Sequence, residues 1–204
     1  MAYFKHPTAV IESDAIGDGT QIWHFAHIRE GAVIGTDCNV GKSVYIDTDV
    51  RIGNNVKVQN FVSVYKGVVI EDDVFVGPSV TFTNDLHPRA FIWDDGKIVP
   101  TSVKKGASIG ANSTILCGIT IGGYAMVGAG STVTKDVLPF GLVYGTPARL
   151  HGFVCYCGRK LSSVLREDDE KTIYKCECGK EVEIKKSICI ETTRVHKINT
   201  EEGK

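Results

Sequence analysis

The chain has little of what membranes, nucleic acids or helical packing demand. No apolar run approaches the ~20 residues a bilayer-spanning helix needs, so none is expected. A formal net charge of −1 supplies no broad basic face to displace counterions from phosphates, which excludes a general nucleic-acid binder. The opening MAYFKHPTAV lacks the apolar stretch of a secretory signal, and seven cysteines is an odd number for a disulfide framework. Reduced thiols in a cytoplasmic protein are therefore expected. Methionine and tryptophan occur twice each and proline six times, whereas glycine reaches 22. That balance suits many tight corners around a narrow aliphatic interior better than it suits helices.

What the chain does have is a period of six. An aliphatic or aromatic anchor recurs from Val10 through Ile16, Ile22, Ile28 and so on to Phe82, then resumes as Ile109, Ile115, Ile121, Val127 and Val133. Neither the 3.6 period of a helix nor simple strand alternation gives six, but a solenoid with one short strand and one corner per unit does. Gly often follows the anchor (Gly17, Gly35, Gly41, Gly53, Gly77, Gly110, Gly122, Gly128), either for φ > 0 or for close backbone packing. Small or β-branched residues sit four after the anchor, from Ala26 to Val80. Three hexads make one triangular coil of roughly 18 residues, with coils stacked at about 4.8 Å. The anchors predict a little over four coils before Phe82 and nearly two after Ile109.

Phe82 and Ile109 are 27 positions apart, not a multiple of six, so an excursion over 83–106 is expected, and long irregular loops in compact repeats usually carry function. Beyond Val133, Pro139, Gly141, Gly145 and Pro147 are read as ending the solenoid. The division expected is 1–152 for the solenoid and 153–204 for a Lys/Glu-rich tail with a short hairpin between Tyr174 and Val182. In that tail Cys155-x-Cys157-Gly and Cys176-x-Cys178-Gly form two equal knuckles, 19 positions apart from Cys157 to Cys176. Four thiolates from two loops can close a tetrahedral structural zinc site, although the usual knuckle is CxxC. The plainer reading is a hairpin with free thiols. Cys38 and Cys117 fit as small core residues.

The hexads, the TNDLHPR loop and the closing STVTKDV and YGTPAR segments together resemble the hexapeptide-repeat acyltransferases. With IWHFAHI, VQNFVSVYKGV and GFVCYCG, the chain resembles their sugar-nucleotide N-acetyltransferases over about His6 to Cys157. The resemblance implies an all-β fold, a left-handed parallel β-helix with one long excursion and a small C-terminal tail. It also implies a homotrimer and acetyl-CoA as cosubstrate. The substrate it implies is a UDP-linked 2-acetamido-3-amino-2,3-dideoxy-glucuronate, acetylated at the 3-amino group for surface polysaccharide or glycan synthesis. The alternative is a dTDP-3-amino-3,6-dideoxyhexose.

Acetyl transfer from a thioester needs a neutral amine aligned on the carbonyl carbon and a donor for the oxyanion. Asn84, where the loop departs, is expected to hold the acceptor amine through its carboxamide oxygen; its plainer role is an Asx turn. His87 is the candidate general base or a loop strut beside Pro88, and Asp85 orients one of these or caps the turn. His24, with Trp23 and Phe25, is expected at a subunit interface or at the nucleotide. Tyr65 and Lys66 replace the usual corner residues, and Lys66 suits a pyrophosphate, a uronate carboxylate or plain solvent. Arg89 offers a bidentate fork, or an ion pair with Asp94 or Asp95. For coenzyme A the resemblance implies a groove between subunits. There Ala111, Gly128 and Ala129 keep the wall low, and Lys135 and Arg149 meet phosphates; Lys135 is otherwise an exposed cation. Two other classes stay open on this scaffold. A γ-carbonic-anhydrase-like hydro-lyase would need His24, His27 and His87 to converge on a metal across a subunit interface. A non-catalytic trimeric scaffold would need none of these groups.

Overall fold

Three parallel sheets run along the molecule, each taking one short strand from every coil. They come from a computed structural model that describes residues 3–92 and 94–186. The first sheet holds Gln21–Ile22, Asn39–Val40 and Lys57–Val58, the second His27–Ile28 and Tyr45–Ile46, the third Val33–Ile34 and Arg51–Ile52. Ile22 lies beside Val40 and Val40 beside Val58, eighteen positions apart each time, as the six-residue period requires. The anchors and the residues four beyond them both point inward: Ile22, Ala26, Ile28, Ala32, Val40 and Val44 are all at most 1% exposed. Fully burying an aliphatic side chain of this size is worth ~1.5–3 kcal/mol, so the stacked ladders are the main source of cohesion. Among the described residues the only helical turn within the coils or loop is a 3-10 turn, Asp95–Lys97, and no helix is long and apolar enough to cross a membrane.

The glycine after each anchor serves close packing, not a left-handed backbone. At all eight positions a Cβ would come within 3 Å of the next coil or strand, and none has positive φ. The left-handed residue instead lies three after the anchor, at most corners. It is Phe25, Asp37, Ser43, Asp49, Asn55, Phe61, Asp73, Ser79, Asn112, Tyr124 and Phe140, with φ between 54° and 61°, and elsewhere glycine such as Gly19 or Gly106.

Three sequence expectations need correction. Phe4–Lys5 and Val10–Ile11 pair with Gln21–Ile22 and His27–Ile28 at seventeen positions, not eighteen. A one-residue slip turns every side chain over, so Val10 faces solvent at 53% exposure and Ile11 takes the place of the anchor. The excursion also ends sooner than residue 106. Thr101–Val103 pairs with Val68–Ile70, thirty-three positions back, and buries Val103 completely, so the solenoid resumes there and the loop spans 83–100. Finally, Gly141–Gly145 does not lie past the solenoid but adds a further parallel strand on Met126–Val127. Counting from Phe4–Lys5, the first sheet therefore has eight parallel strands.

Termination comes one step later, when Ala148–Phe153 folds back antiparallel on Gly141–Gly145. The tail forms a three-stranded antiparallel sheet, Ser163–Glu167, Lys171–Lys175 and Glu181–Lys185, in which Tyr174 faces Val182. It has its own small core of Cys155, Leu161, Cys176, Val182 and Ile184, against which Phe140 and Phe153 pack.

Candidate active site

The excursion leaves the corner between the second and third sheets and returns to it. Thr83 Oγ1 accepts from the Cys117 N–H of the coil above at 3.0 Å. The Asn84 carbonyl accepts from the Val99 N–H at 3.0 Å, which ties the two stems together and fixes where the half-buried Asn84 side chain starts. Asp85 accepts from the His87 N–H at 2.7 Å and meets Lys97 Nζ at 2.8 Å, while Lys97 Nζ also donates to the His87 carbonyl at 2.9 Å. The Lys97 ammonium, helped by the His87 N–H, holds the Asp85 carboxyl below the ordinary carboxylate range. Both carboxylate oxygens are thus engaged within the loop, which is the turn-capping role of Asp85. His87 itself is exposed at the turn that Asp85 and Lys97 build.

Arg89 donates to the Pro88 carbonyl and is exposed. Its expected ion-pair partners are occupied elsewhere: Asp94 caps the Asp95–Lys97 turn by accepting from the Gly96 N–H, and Asp95 lies 3.9 Å from Lys66. Lys66 also sits 3.6 Å from Asp49, so it links the loop to two coils beneath it. Tyr65 packs at 5.7 Å on Tyr45. Below them runs a polar column that sequence reading passed over. Glu12 binds both His27 Nε2 and Arg29 Nε, Arg29 reaches the Tyr45 hydroxyl, and that hydroxyl donates to Asp47 at 3.0 Å. Burial pushes the Tyr45 hydroxyl pKa up, so it stays protonated as a donor. The signal was available in the eighteen-residue spacing from His27 to Tyr45 and from Arg29 to Asp47 to Tyr65.

Most of the remaining predicted residues lie on another edge of the prism. His24, Ala111, Gly128 and Ala129 occupy the corner between the first and second sheets. His24 stacks on His6 with ring centroids 3.4 Å apart; burial and the neighbouring His24 lower the His6 pKa. Along the same corner Phe25 and Phe61 are exposed at 59% and 54%. Higher up, the Ala111 carbonyl accepts from the Gly130 N–H, and the Gly128 carbonyl from the Ser131 and Ser113 hydroxyls. Lys135 returns to the loop's corner two coils above the loop base, and the exposed Arg149 lies on the return strand opposite Tyr144. One chain therefore gathers Asn84, Asp85, His87, Arg89, Tyr65 and Lys66 on one edge, and leaves His24 with the low-walled glycine and alanine stretch on another.

Within one chain His24, His27 and His87 do not come together: His27 is bound to Glu12, His24 is stacked on His6, and His87 belongs to the loop. Among the described residues the one cluster able to hold a metal is Cys155, Cys157, Cys176 and Cys178, whose sulfurs all lie within 4.8 Å of one another. Within it the Lys180 backbone N–H holds the Cys178 thiol down to about 7, and burial pushes Cys155 up.

Comparison with known proteins agrees with the repeat architecture. Residues 15–48 and 49–84 match the bacterial transferase hexapeptide family of six repeats, and 100–135 match the hexapeptide repeat of succinyl-transferase. The chain is 50% identical over 183 residues to the dTDP-3-amino-3,6-dideoxy-α-D-galactopyranose 3-N-acetyltransferase of Aneurinibacillus thermoaerophilus, covering 87% of this chain and 88% of that one. In fold it is similar to a GDP-perosamine N-acetyltransferase of Caulobacter crescentus solved with coenzyme A and GDP-perosamine. That likeness has a TM-score of 0.51 and 21% identity, over 74% of this chain and 57% of that one. It is also similar to an N-acyltransferase of Bacillus cereus solved with dTDP and coenzyme A, with a TM-score of 0.50 and 18% identity, over 72% and 78%. The two solved structures speak to the fold, the curated relative to the family. The chain belongs to the hexapeptide-repeat transferases, among the N-acetyltransferases of sugar nucleotides.

Proposed function

We propose that this protein transfers the acetyl group of acetyl-CoA to the 3-amino group of a dTDP-linked 3-amino-3,6-dideoxyhexose. The observation that carries the reading is the 50% identity to a relative named for that chemistry, which runs over nearly the whole of both chains. It favours the dTDP sugar over the UDP-linked amino-glucuronate implied first by the motifs. A 6-deoxy sugar has no carboxylate, so Lys66 is not needed as its counterion, in keeping with the two aspartates already beside it.

In this reading residues 1–152 are the catalytic unit of a cytoplasmic homotrimer. The loop edge of one subunit meets the low-walled edge of the next, which joins groups that a single chain keeps apart. The exposed Phe25 and Phe61 supply apolar surface for that contact. Ala111, Gly128 and Ala129 line the pantetheine groove, and Lys135 and Arg149 meet the phosphates of coenzyme A. His24, Tyr65 and Arg89 contact the sugar nucleotide. The Asn84 carboxamide oxygen accepts an N–H of the sugar amine, so the lone pair faces the thioester carbon. Attack forms the C–N bond, the C–S bond breaks, and the amine's surplus proton passes to His87 or to the leaving thiolate. Asp85 acts as a positioning residue through the turn it shares with Lys97.

The test pairs purified protein and acetyl-CoA with dTDP-3-amino-3,6-dideoxygalactose or with the UDP-amino-glucuronate, following free thiol. Faster release with the dTDP sugar is expected. Preference for the uronate would restore the other substrate, and no release together with no coenzyme A binding would leave the scaffold reading.

A further inference from the structure

We propose that Cys155, Cys157, Cys176 and Cys178 bind one zinc ion as four thiolates, a structural centre that fastens the C-terminal sheet to the side of the solenoid. The inference is independent of the sugar substrate. Cys155 Sγ lies 3.6 Å from Cys178 Sγ and Cys157 Sγ 3.7 Å from Cys176 Sγ. A tetrahedron of sulfurs with Zn–S bonds of about 2.3 Å has edges of about 3.8 Å, so the four atoms already stand near the corners such an ion requires.

The two loops are built alike, although they are far apart in sequence. In each, the glycine N–H donates back to the first cysteine carbonyl, Gly158 to Cys155 at 2.8 Å and Gly179 to Cys176 at 2.9 Å. In each, the first cysteine N–H donates to the carbonyl after that glycine, Arg159 or Lys180, at 2.9 Å. Both glycines take positive φ, 83° and 87°. This tight turn brings residues one and three to the same side, so a single intervening residue suffices where two are usual. A tetrathiolate zinc carries two net negative charges, and each glycine is followed directly by a cation, Arg159 or Lys180.

Among the described residues the remaining core of the tail is small, with Leu161, Val182 and Ile184 as its buried aliphatic members. So little apolar area rarely holds a short sheet unaided, and a metal is one of the usual substitutes. The first knuckle is also the point of attachment. Tyr156, between its two cysteines, packs on Tyr124 and Phe140 with centroids 4.7 and 4.9 Å away, and the Val154 N–H donates to the Phe140 carbonyl. With four protein ligands no coordination position remains for a substrate, so the role is structural.

The full-length protein, purified with a phosphine reductant and no chelator, is expected to contain one zinc per chain by elemental analysis. Titration with an organomercurial should release that zinc in step with four thiols. Refolding with Co²⁺ should give an intense sulfur-to-cobalt charge-transfer band at one equivalent. The double variant Cys176→Ser, Cys178→Ser should lose the metal and become sensitive to protease after the first knuckle. Should that variant fail to fold, the mercurial titration of the wild-type protein decides alone. Two disulfides by intact mass, or four freely reactive thiols with no zinc retained after incubation with the ion, would overturn the proposal.

Discussion

In the proposed reaction Asn84 and Asp85 are neighbours with different tasks, and two substitutions separate them. Asn84→Ala is expected to lower turnover by about tenfold or more, ~1.4 kcal/mol of barrier, and to leave the assembly unchanged by sedimentation. Wild-type turnover in that variant would move the acceptor site elsewhere. Lys97→Met tests the positioning role of Asp85. Its carboxyl is held below its ordinary range in the folded protein, so its contribution is complete above that range and lost as pH falls through the lowered value. Without Lys97 the carboxyl moves back up, and loop order should fail at a higher pH on acidification. Hydrogen exchange of the Val99 amide, bonded to the Asn84 carbonyl, reports this directly, and an unchanged acid limb would remove Asp85 from the argument. The TNDLHPR segment announced these residues in sequence. It did not announce Lys97, because a lysine twelve positions beyond Asp85 becomes a partner only when the loop closes.

Among elements, the stacking of coils makes a sharp distinction between glycines. A Cβ on Gly35 would meet the Gly53 carbonyl carbon and oxygen at 2.6 Å, whereas one on Gly123 would touch only the Lys105 carbonyl at an ordinary 3.5 Å. Gly35→Ala is therefore expected to cost about 1–3 kcal/mol, seen as a fall of several degrees in Tm, and Gly123→Ala close to nothing. Equal melting of the two variants would contradict the close-packing role. At the rejoining strand, the buried Thr101 hydroxyl has no hydrogen-bond partner among the described residues. Thr101→Val keeps the shape and removes the orphaned group, so Tm should hold or rise. The six-residue period predicted most strands directly. It failed at Val10 and Val103, where a one-residue deletion and a short strand beside Pro100 break the count without changing the local composition.

For the whole molecule, the bulky corner residues in left-handed geometry divide into two groups. Tyr124 and Phe140 stack on each other at 5.3 Å and are covered by Tyr156 of the tail, while Phe25 and Phe61 remain exposed on the opposite side of the first sheet. A left-handed backbone is costly for an aromatic residue, and such strain marks a place where the surrounding structure gains from it. In the proposed trimer that gain is subunit contact. Phe25→Ala with Phe61→Ala should shift the assembly towards monomer in sedimentation and reduce turnover with it. A trimer as tight as the wild type would place the interface elsewhere.

The sequence by itself determined the solenoid, the existence of its excursion and the family, because a six-residue repeat is a local pattern that each coil restates. It also supplied the paired knuckles. Only the tertiary structure decided which glycines pack and which corners turn left, where the loop rejoins, and that Asp85 belongs to Lys97. It alone brought four sulfurs from two distant loops to within 4.8 Å. These depend on which coil lies above which, and one inserted or missing residue changes that stacking while leaving every local motif intact.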